Sequence, residues 1–222
     1  MTTPRAYVEG EVEFYDCQIS VTPDVLIPRQ ETEILVDLVL KKLGKGTLLD
    51  LCSGSGCIGL SIKKHLPDLD VVLSDISQKA IDLARKNAEK NNLDVSFFVG
   101  DLFNSLTEKK FDYLVCNPPY ISEEEYIKLE PSVKDYEPKQ ALVGGDDGLL
   151  FYRRLETEMP NFLSGGAKVF FEIGYTQGKA LLEIFSNPIW NNQEVLKDWA
   201  GHDRFFFLEF DPKRNYSVLN YK

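Results

Sequence analysis

Asn117-Pro118-Pro119-Tyr120 follows directly on the apolar run 111–116, and its residue types suit a grip on a planar NH2 group. A proline has no N–H, keeps its carbonyl as an acceptor and fixes φ, and it pushes the residue before it into an extended conformation. Two consecutive prolines at the end of a strand therefore stiffen a bend and leave acceptors pointing outward. Asn117 adds a side-chain carbonyl, and Tyr120 adds a flat ring that can stack on an amide or a base. Taken alone, the same four residues also read as a rigid turn without chemistry.

A second set sits upstream, where the segment 48–59 turns from a strand into a helix. Gly54-Ser55-Gly56 with Gly59 makes a Gly-x-Gly-x-x-Gly pattern, and an acid, Asp75, follows it at the distance of a dinucleotide fingerprint. Two residues favour S-adenosylmethionine over a nicotinamide cofactor. Asp50 places a carboxylate where it suits an ammonium and would repel a pyrophosphate. Cys52-Ser53 lengthen the turn, giving the Asp-x-x-x-Gly-x-Gly form of methyltransferases. A strand-to-helix turn without ligand is the alternative. Asp75, with Ile76 beside it, falls at the carboxyl end of the next strand, where its oxygens can accept from both ribose hydroxyls; a helix cap is the competing role. Asp101 ends the third strand and can accept from an adenine amino group while Leu102 or Phe103 packs on the ring, although a loop or cap residue fits there too.

The elements that must position these residues follow from periodicity. A β-rich opening over 7–21, with turns at Gly10 and Asp16, precedes a helix over 31–43 that Gly44 ends. Strands at 47–52, 71–73, 95–99, 111–116 and 167–173 alternate with helices at 57–65, 77–90, 148–162 (interrupted near Pro160) and 177–185. Such alternation predicts a parallel sheet covered on both faces. The last two strands, 193–199 and 204–210, are joined so closely around 200–203 that they must be antiparallel. The expected fold is α/β, a class I S-adenosylmethionine-dependent methyltransferase with a Rossmann-like, mostly parallel seven-stranded sheet, a C-terminal antiparallel hairpin and an N-terminal β-hairpin appendage. Residues 1–30 form the appendage and linker, and 31–222 the methyltransferase domain.

Charge and composition narrow the partners. The 222 residues carry a formal net charge of −10 and no basic run, so neutralising a nucleic-acid backbone is a poor expectation. Four cysteines without paired spacing, and histidines only at His65 and His202, predict neither a zinc site nor a disulfide framework. Without a secretory apolar segment at the start or a membrane-length apolar run, the reading is a reduced, cytoplasmic protein that does not enter a membrane. Cys52, Cys116, Trp190 and Trp199 are expected to pack in the core.

With Asp50, Asp75, Asp101 and Asn117-Pro118-Pro119-Tyr120 in order, the chain resembles the release-factor glutamine N5-methyltransferases, the PrmC/HemK family. Tyr7–Gly10 with Phe14-Tyr15, Leu26–Glu33, Glu137-Pro138, Ala141-Leu142, Gly144–Leu149, Glu172–Gly174 with Gln177-Gly178, and Asp198–Gly201 with Asp203-Arg204 look like further elements of that family. The resemblance implies methyl transfer from S-adenosylmethionine to the side-chain nitrogen of a glutamine, in the Gly-Gly-Gln tip of a peptide chain release factor. It implies catalytic and substrate roles for Asn117, Pro118, Pro119 and Tyr120, a substrate role for Arg29, and cofactor contacts from Asp50, Cys52, Ser53, Gly54, Ser55, Gly56, Asp75, Ile76, Asp101, Leu102 and Asn117. Two departures stand out. The family usually has glycine at position 52. Bacterial members also carry a helical N-terminal domain that this chain lacks, so a partner protein is expected to supply that surface if the chain is naturally short.

The expected mechanism needs no strong base. Asn117 Oδ1 and the Pro118 carbonyl each accept one amide N–H, aiming the nitrogen lone pair at the methyl donor, while Tyr120 stacks on the amide. The competing functions are an amino-group methyltransferase on DNA or rRNA bases, a methyltransferase for a ribosomal-protein glutamine, a nicotinamide-dependent oxidoreductase, and a non-catalytic binding module.

Overall fold

The chain begins with a helix rather than a strand: Arg5–Glu9 (α1) starts after Pro4 and stops at Gly10, whose φ of 76° is left-handed. This corrects the expectation of β structure from residue 7. The structure, a computed structural model, describes residues 3–107 and 109–213, so the extreme ends of the expected two-part division lie outside the described residues. Glu11–Phe14 (β1) and Cys17–Ser20 (β2) then pair antiparallel around Tyr15 and Asp16, both at positive φ. Phe14, Cys17 and Ile19 are buried in the same cluster as Leu35, Ile58 and Ala84. At about 1.5–3 kcal/mol for each fully buried large apolar side chain, this contact docks the hairpin firmly on the helices beside it.

After Gln30–Leu40 (α2), the main sheet is built in order from Thr47–Leu51 (β3), Cys57–His65 (α3), Asp70–Asp75 (β4), Gln78–Lys90 (α4), Ser96–Val99 (β5) and Phe111–Cys116 (β6). Three helices of one or two turns follow, Glu123–Ile127 (α5), Pro131–Lys134 (α6) and Lys139–Leu142 (α7). They were not expected, because none is long enough to show a helical period. Leu150–Glu158 (α8) runs into a 3-10 turn at Met159–Asn161, where Pro160 interrupts the expected longer helix. Leu163–Glu172 (β7), Gly178–Ile184 (α9), Trp190–Lys197 (β8) and Asp203–Phe210 (β9) complete the described chain.

The seven strands lie in the order β5-β4-β3-β6-β7-β9-β8, parallel from β5 to β7, with β9 antiparallel to both neighbours. Strand alternation sorts their side chains into two cores. Leu48, Val115, Phe170, Phe205 and Phe207 face the cluster under α2, α3 and α4, whereas Leu49, Leu114, Phe171, Phe206 and Leu208 face Tyr152, Leu155 and Phe185 of the α8 and α9 side. The chain leaves β3 outward to β4 and β5, then returns past β3 to β6. A crevice therefore opens at the carboxyl ends of β3 and β6, where such sheets bind ligands.

Candidate active site

A cavity of about 260 Å³ occupies that crevice, lined by the turn after β3, the ends of β4 and β5, Asn117 and Pro119 after β6, and the segments around Pro28 and Pro138. Of the residues singled out in the sequence, Cys52, Ser53, Gly54, Ser55, Asp75, Ile76, Asp101, Leu102 and Asn117 line it. Asp50, Gly56, Pro118, Tyr120 and Arg29 do not.

Backbone geometry explains the glycine turn. Cys52 has φ 59°, a left-handed conformation that favours glycine, so a side chain stands where the backbone suits none. Gly54 (φ 53°) donates its N–H to Asp75 Oδ2 at 2.8 Å, and a Cβ there would meet nothing within 4 Å. Its open face belongs to the cavity. Gly56 instead serves packing, because a Cβ there would lie 2.7 Å from Leu73 Cδ2 and 3.1 Å from Ala84 Cβ; this glycine permits α3 to pack on the sheet. Ser53 donates its N–H to the Ser74 carbonyl at 3.0 Å, while the Oγ atoms of Ser53 and Ser74 are buried without a partner among the described residues.

Asp50 corrects the expectation of a first contact with the ligand. Its side chain is fully buried behind the cavity wall, with Oδ2 accepting the Gly59 N–H at 2.8 Å and Oδ1 left without a partner among the described residues. Burial pushes its carboxyl up to about 7, against the opposing pull of the Gly59 N–H. Asp75 accepts from Gly54 and, through Oδ1, from the Ser77 N–H at 2.9 Å. Burial raises its carboxyl as well. Each oxygen of Asp75 retains acceptor capacity after these bonds, since an ionised carboxylate offers about four lone-pair sites.

At the third strand end, Asp101 Oδ1 is held by Arg154 Nη1 at 2.9 Å, leaving Oδ2 without a protein donor among the described residues. Leu102 lines the cavity. Phe103 instead stacks on Phe162, ring centroids 4.6 Å apart, in the core. The charged lining residues are Asp24, Asp75, Asp101 and Arg154, and Arg154 is already paired with Asp101 and Glu158. Such a wall suits a cationic ligand and disfavours a pyrophosphate.

From the Asn117–Tyr120 loop, Asn117 and Pro119 line the cavity. Neither Asn117 Oδ1 nor the Pro118 carbonyl takes a hydrogen bond from the described residues. The Tyr120 carbonyl accepts from Gln177 Nε2 at 2.9 Å, and its hydroxyl donates to Glu172 Oε1 at 3.3 Å. Glu172 is buried and also accepts from Thr32 Oγ1 at 2.7 Å; burial raises its carboxyl. Burial, then the nearby Glu172 carboxylate, raises the Tyr120 phenol.

Arg29, expected to contact substrate, forms an ion pair with Glu137, whose side chain is 1% exposed; Glu137 also accepts the Ile27 N–H at 3.1 Å. Asn87 and Arg154 were not singled out in the sequence, and Glu137 and Gln177 were marked only as parts of elements that the family resemblance covers, without a role of their own. Asn87 of α4 bonds the carbonyls of Ser55 and Ser20 through Nδ2, tying the glycine turn to the hairpin. Only the capping box of Ser122 and Glu125, which starts the loop helices after Tyr120, had a readable local signal. Cys116 is buried in contact with the Cys52 thiol, and Trp190 packs as expected, but Trp199 is 85% exposed and does not. Among the described residues, no cluster of ligating side chains could hold a metal ion, and no helix is long and apolar enough to cross a membrane.

Comparison with known proteins places this geometry in a family. Residues 30–130 match the model of the "Methyltransferase small domain". The release factor glutamine methyltransferase of Chlamydia trachomatis serovar D is 48% identical over 210 residues, covering 93% of this chain and 72% of that protein. The enzyme of the same name from Thermodesulfovibrio yellowstonii is 45% identical over 212 residues, covering 93% and 76%. Among solved structures, a methyltransferase from Pyrococcus furiosus superposes with a TM-score of 0.67 at 20% identity, covering 87% of this chain and 88% of that one. A Thermus thermophilus 16S rRNA N2 methyltransferase in complex with AdoMet and guanosine gives a TM-score of 0.65 at 19% identity, covering 90% and 49%. These two likenesses speak to the fold.

Proposed function

The chain belongs to the release factor glutamine methyltransferases, and from that membership we propose that it transfers a methyl group from S-adenosylmethionine to the glutamine side-chain nitrogen in the Gly-Gly-Gln tip of a peptide chain release factor. The observation that supports this reading is Asn117, whose Oδ1 takes no hydrogen bond among the described residues and which lines a cavity with an acidic wall; the Pro118 carbonyl, next to it in the chain, is likewise without a donor among the described residues.

The residues present fit the cofactor. Gly54 leaves space where a side chain would intrude, Ser53 and Ser74 hold buried hydroxyls without partners among the described residues, and Asp75 and Asp101, which line the cavity, keep acceptor capacity. S-Adenosylmethionine supplies, when bound, a methyl group activated by a sulfonium. In this reading Asp75 and Ile76 hold the ribose side, and Asp101 and Leu102 the adenine side. Cys52, Ser53, Gly54 and Ser55 line the methionine side, and Asp50 shapes that turn from behind through Gly59.

A carboxamide nitrogen is a poor nucleophile because its lone pair is delocalised into the carbonyl. Asn117 and Pro118 each accept one of its N–H groups and so orient it; orientation of this kind contributes several kcal/mol, with an upper range of about 7–11 kcal/mol. Pro119 keeps the bend stiff, and the Tyr120 ring excludes water. The nitrogen sheds its proton as or after the new N–C bond forms, so no strong base is required.

The acidic balance and the relatives' names both favour a protein acceptor over DNA or rRNA bases. A cytoplasmic location follows from an acceptor that works on ribosomes. The chain spans about three quarters of its relatives' length; should the working enzyme consist of this span alone, a partner protein supplies further release-factor contacts. We keep residues 1–30 as an appendage in chain order, although Phe14 and Ile19 share the main core. Mass spectrometry of release factor incubated with this protein and S-adenosylmethionine tests the reading. A one-methyl mass increase on the tip glutamine is expected, and methylation confined to DNA or rRNA substrates would overturn it.

A further inference from the structure

Asn117–Tyr120 has an unusual tethering problem. Pro118 and Pro119 lack N–H groups, so this loop cannot be secured by its own donors at those positions, and any hold must come from donors elsewhere reaching its carbonyls. Gln177, 8% exposed in the turn after β7, is such a donor. Its Nε2 donates to the Tyr120 carbonyl at 2.9 Å and to the Gly148 carbonyl at 3.1 Å, using both amide hydrogens. Its Oε1 accepts the Gly174 N–H at 2.9 Å, which fixes the orientation of the amide.

The contact is closely built on both sides. A Cβ on Gly148 would stand 2.2 Å from the Tyr120 carbonyl oxygen and 2.8 Å from Gln177 Nε2, and a Cβ on Gly144 would stand 2.4 Å from the Pro119 carbonyl oxygen. Side chains are therefore excluded from the space through which Gln177 reaches the loop. With Glu172 holding the Tyr120 hydroxyl, that residue is fastened at its ring and at its backbone. The Pro118 carbonyl, two residues earlier, is left open.

We propose that Gln177 is a positioning residue for methyl transfer: its amide fastens the Tyr120 and Gly148 carbonyls, and so holds Asn117 Oδ1 and the Pro118 carbonyl at the acceptor amide. This inference rests on the function proposed above. Gln177 touches neither acceptor nor cofactor, so its loss falls on the chemical step and not on cofactor binding.

The test compares the full chain with Gln177→Glu and Gln177→Ala in three measurements: kcat and KM for methylation of a release factor, the Kd for S-adenosylmethionine, and hydrogen exchange across 117–123. Glu has the same shape but sets a carboxylate against two carbonyl oxygens. We expect kcat to fall roughly 10²-fold, the effect of about 1 Å of misplacement, with Kd within about twofold of wild type and faster exchange at Tyr120 and Ile121. Lowering the pH toward about 6 should restore part of kcat in Gln177→Glu only, because a protonated carboxyl regains one donor. If Gln177→Glu does not fold, Gln177→Asn, one methylene too short to reach both carbonyls, carries the same expectation.

Unchanged kcat with unchanged exchange would overturn the inference, as would a Kd that weakens in proportion to kcat. A wild-type protein inactive on release factor would sink the proposed function instead, and the exchange comparison would still report whether Gln177 fastens the loop.

Discussion

Arg29 and Glu137, 108 positions apart, form an ion pair that joins two walls of the cavity, since their neighbours Pro28 and Pro138 both line it. Glu137 is the buried member and Arg29 the half-exposed one. Arg29→Ala leaves a buried carboxylate with only the Ile27 N–H. The expected loss is about 2–3 kcal/mol, somewhat below the range for a fully buried pair. Denaturant titration of Arg29→Ala and Glu137→Gln, with and without S-adenosylmethionine, checks this. A melting transition unchanged in Arg29→Ala, together with a raised KM for release factor, would return Arg29 to substrate binding.

In the proposed reading, Asn117→Ala removes one of the two acceptors that orient the amide, and it breaks no side-chain hydrogen bond to the described residues. Turnover should fall by roughly two to three orders of magnitude, while cofactor affinity measured by calorimetry stays within about twofold. Parallel loss of both would mean that Asn117 serves the cofactor first.

Asp75→Ala deletes the acceptor assigned to the ribose and also orphans the Gly54 and Ser77 N–H groups. Hydrogen bonds to a charged group contribute about 1.5–3 kcal/mol each, so the Kd for S-adenosylmethionine should weaken by roughly 10–100-fold. An unaltered Kd would remove the ribose assignment.

Asp50 gives the site a pH dependence. Its carboxyl, pushed up to about 7 by burial, is protonated in the free protein at lower pH and ionised above. A cationic ligand prefers the ionised form, so affinity should rise with pH through 7, by at most about eightfold from pH 6 to 7.5 by the ionised fractions. Asp50→Asn should flatten that part of the profile. The same raised carboxyl makes the folded apoprotein bind a proton more readily than the unfolded chain. Asp50's stabilising contribution is therefore full below the ordinary carboxylate range and declines as pH rises toward 7.

Cys52 occupies a left-handed backbone position, which costs a non-glycine residue about 1–2 kcal/mol. Cys52→Gly relieves that strain but raises the entropy of the unfolded chain by a comparable 0.4–1 kcal/mol or so. Thermal unfolding should show a variant as stable as the parent or slightly more so. Cys52→Val, branched at Cβ, should be destabilised by more than about 2 kcal/mol. Equal stability of all three would show that the φ at this position carries no strain.

The fold was readable where an apolar run or a helical period is clearly bounded: β3 and β6 are short apolar runs that end at turn residues, and α3 and the terminal hairpin were likewise located within a few residues. The opening helix α1 and the three short helices after Tyr120 were not, because four or five residues span little more than one turn and hydrogen-bond capping decides them. Within the site, Gly54, Asp75, Asp101 and Asn117, each carried by a local motif, line one cavity. Residues whose partners are remote could not be given a role from the sequence. Glu137 and Gln177 gain their meaning from Arg29 and Tyr120, distant in sequence, and Trp199 looked like a core residue until its strand ended before it.

Sequence alone determined the chain order of the seven main-sheet strands and of the longer helices, the glycine turn and the proline-stiffened loop, because each is written in consecutive residues with strong local preferences. Tertiary structure alone decided which carboxylates face the cavity, which one is buried away from it, and which amide bonds the Tyr120 carbonyl. Those outcomes depend on burial and on hydrogen-bond partners that only the closing of the sheet and its helices brings within reach.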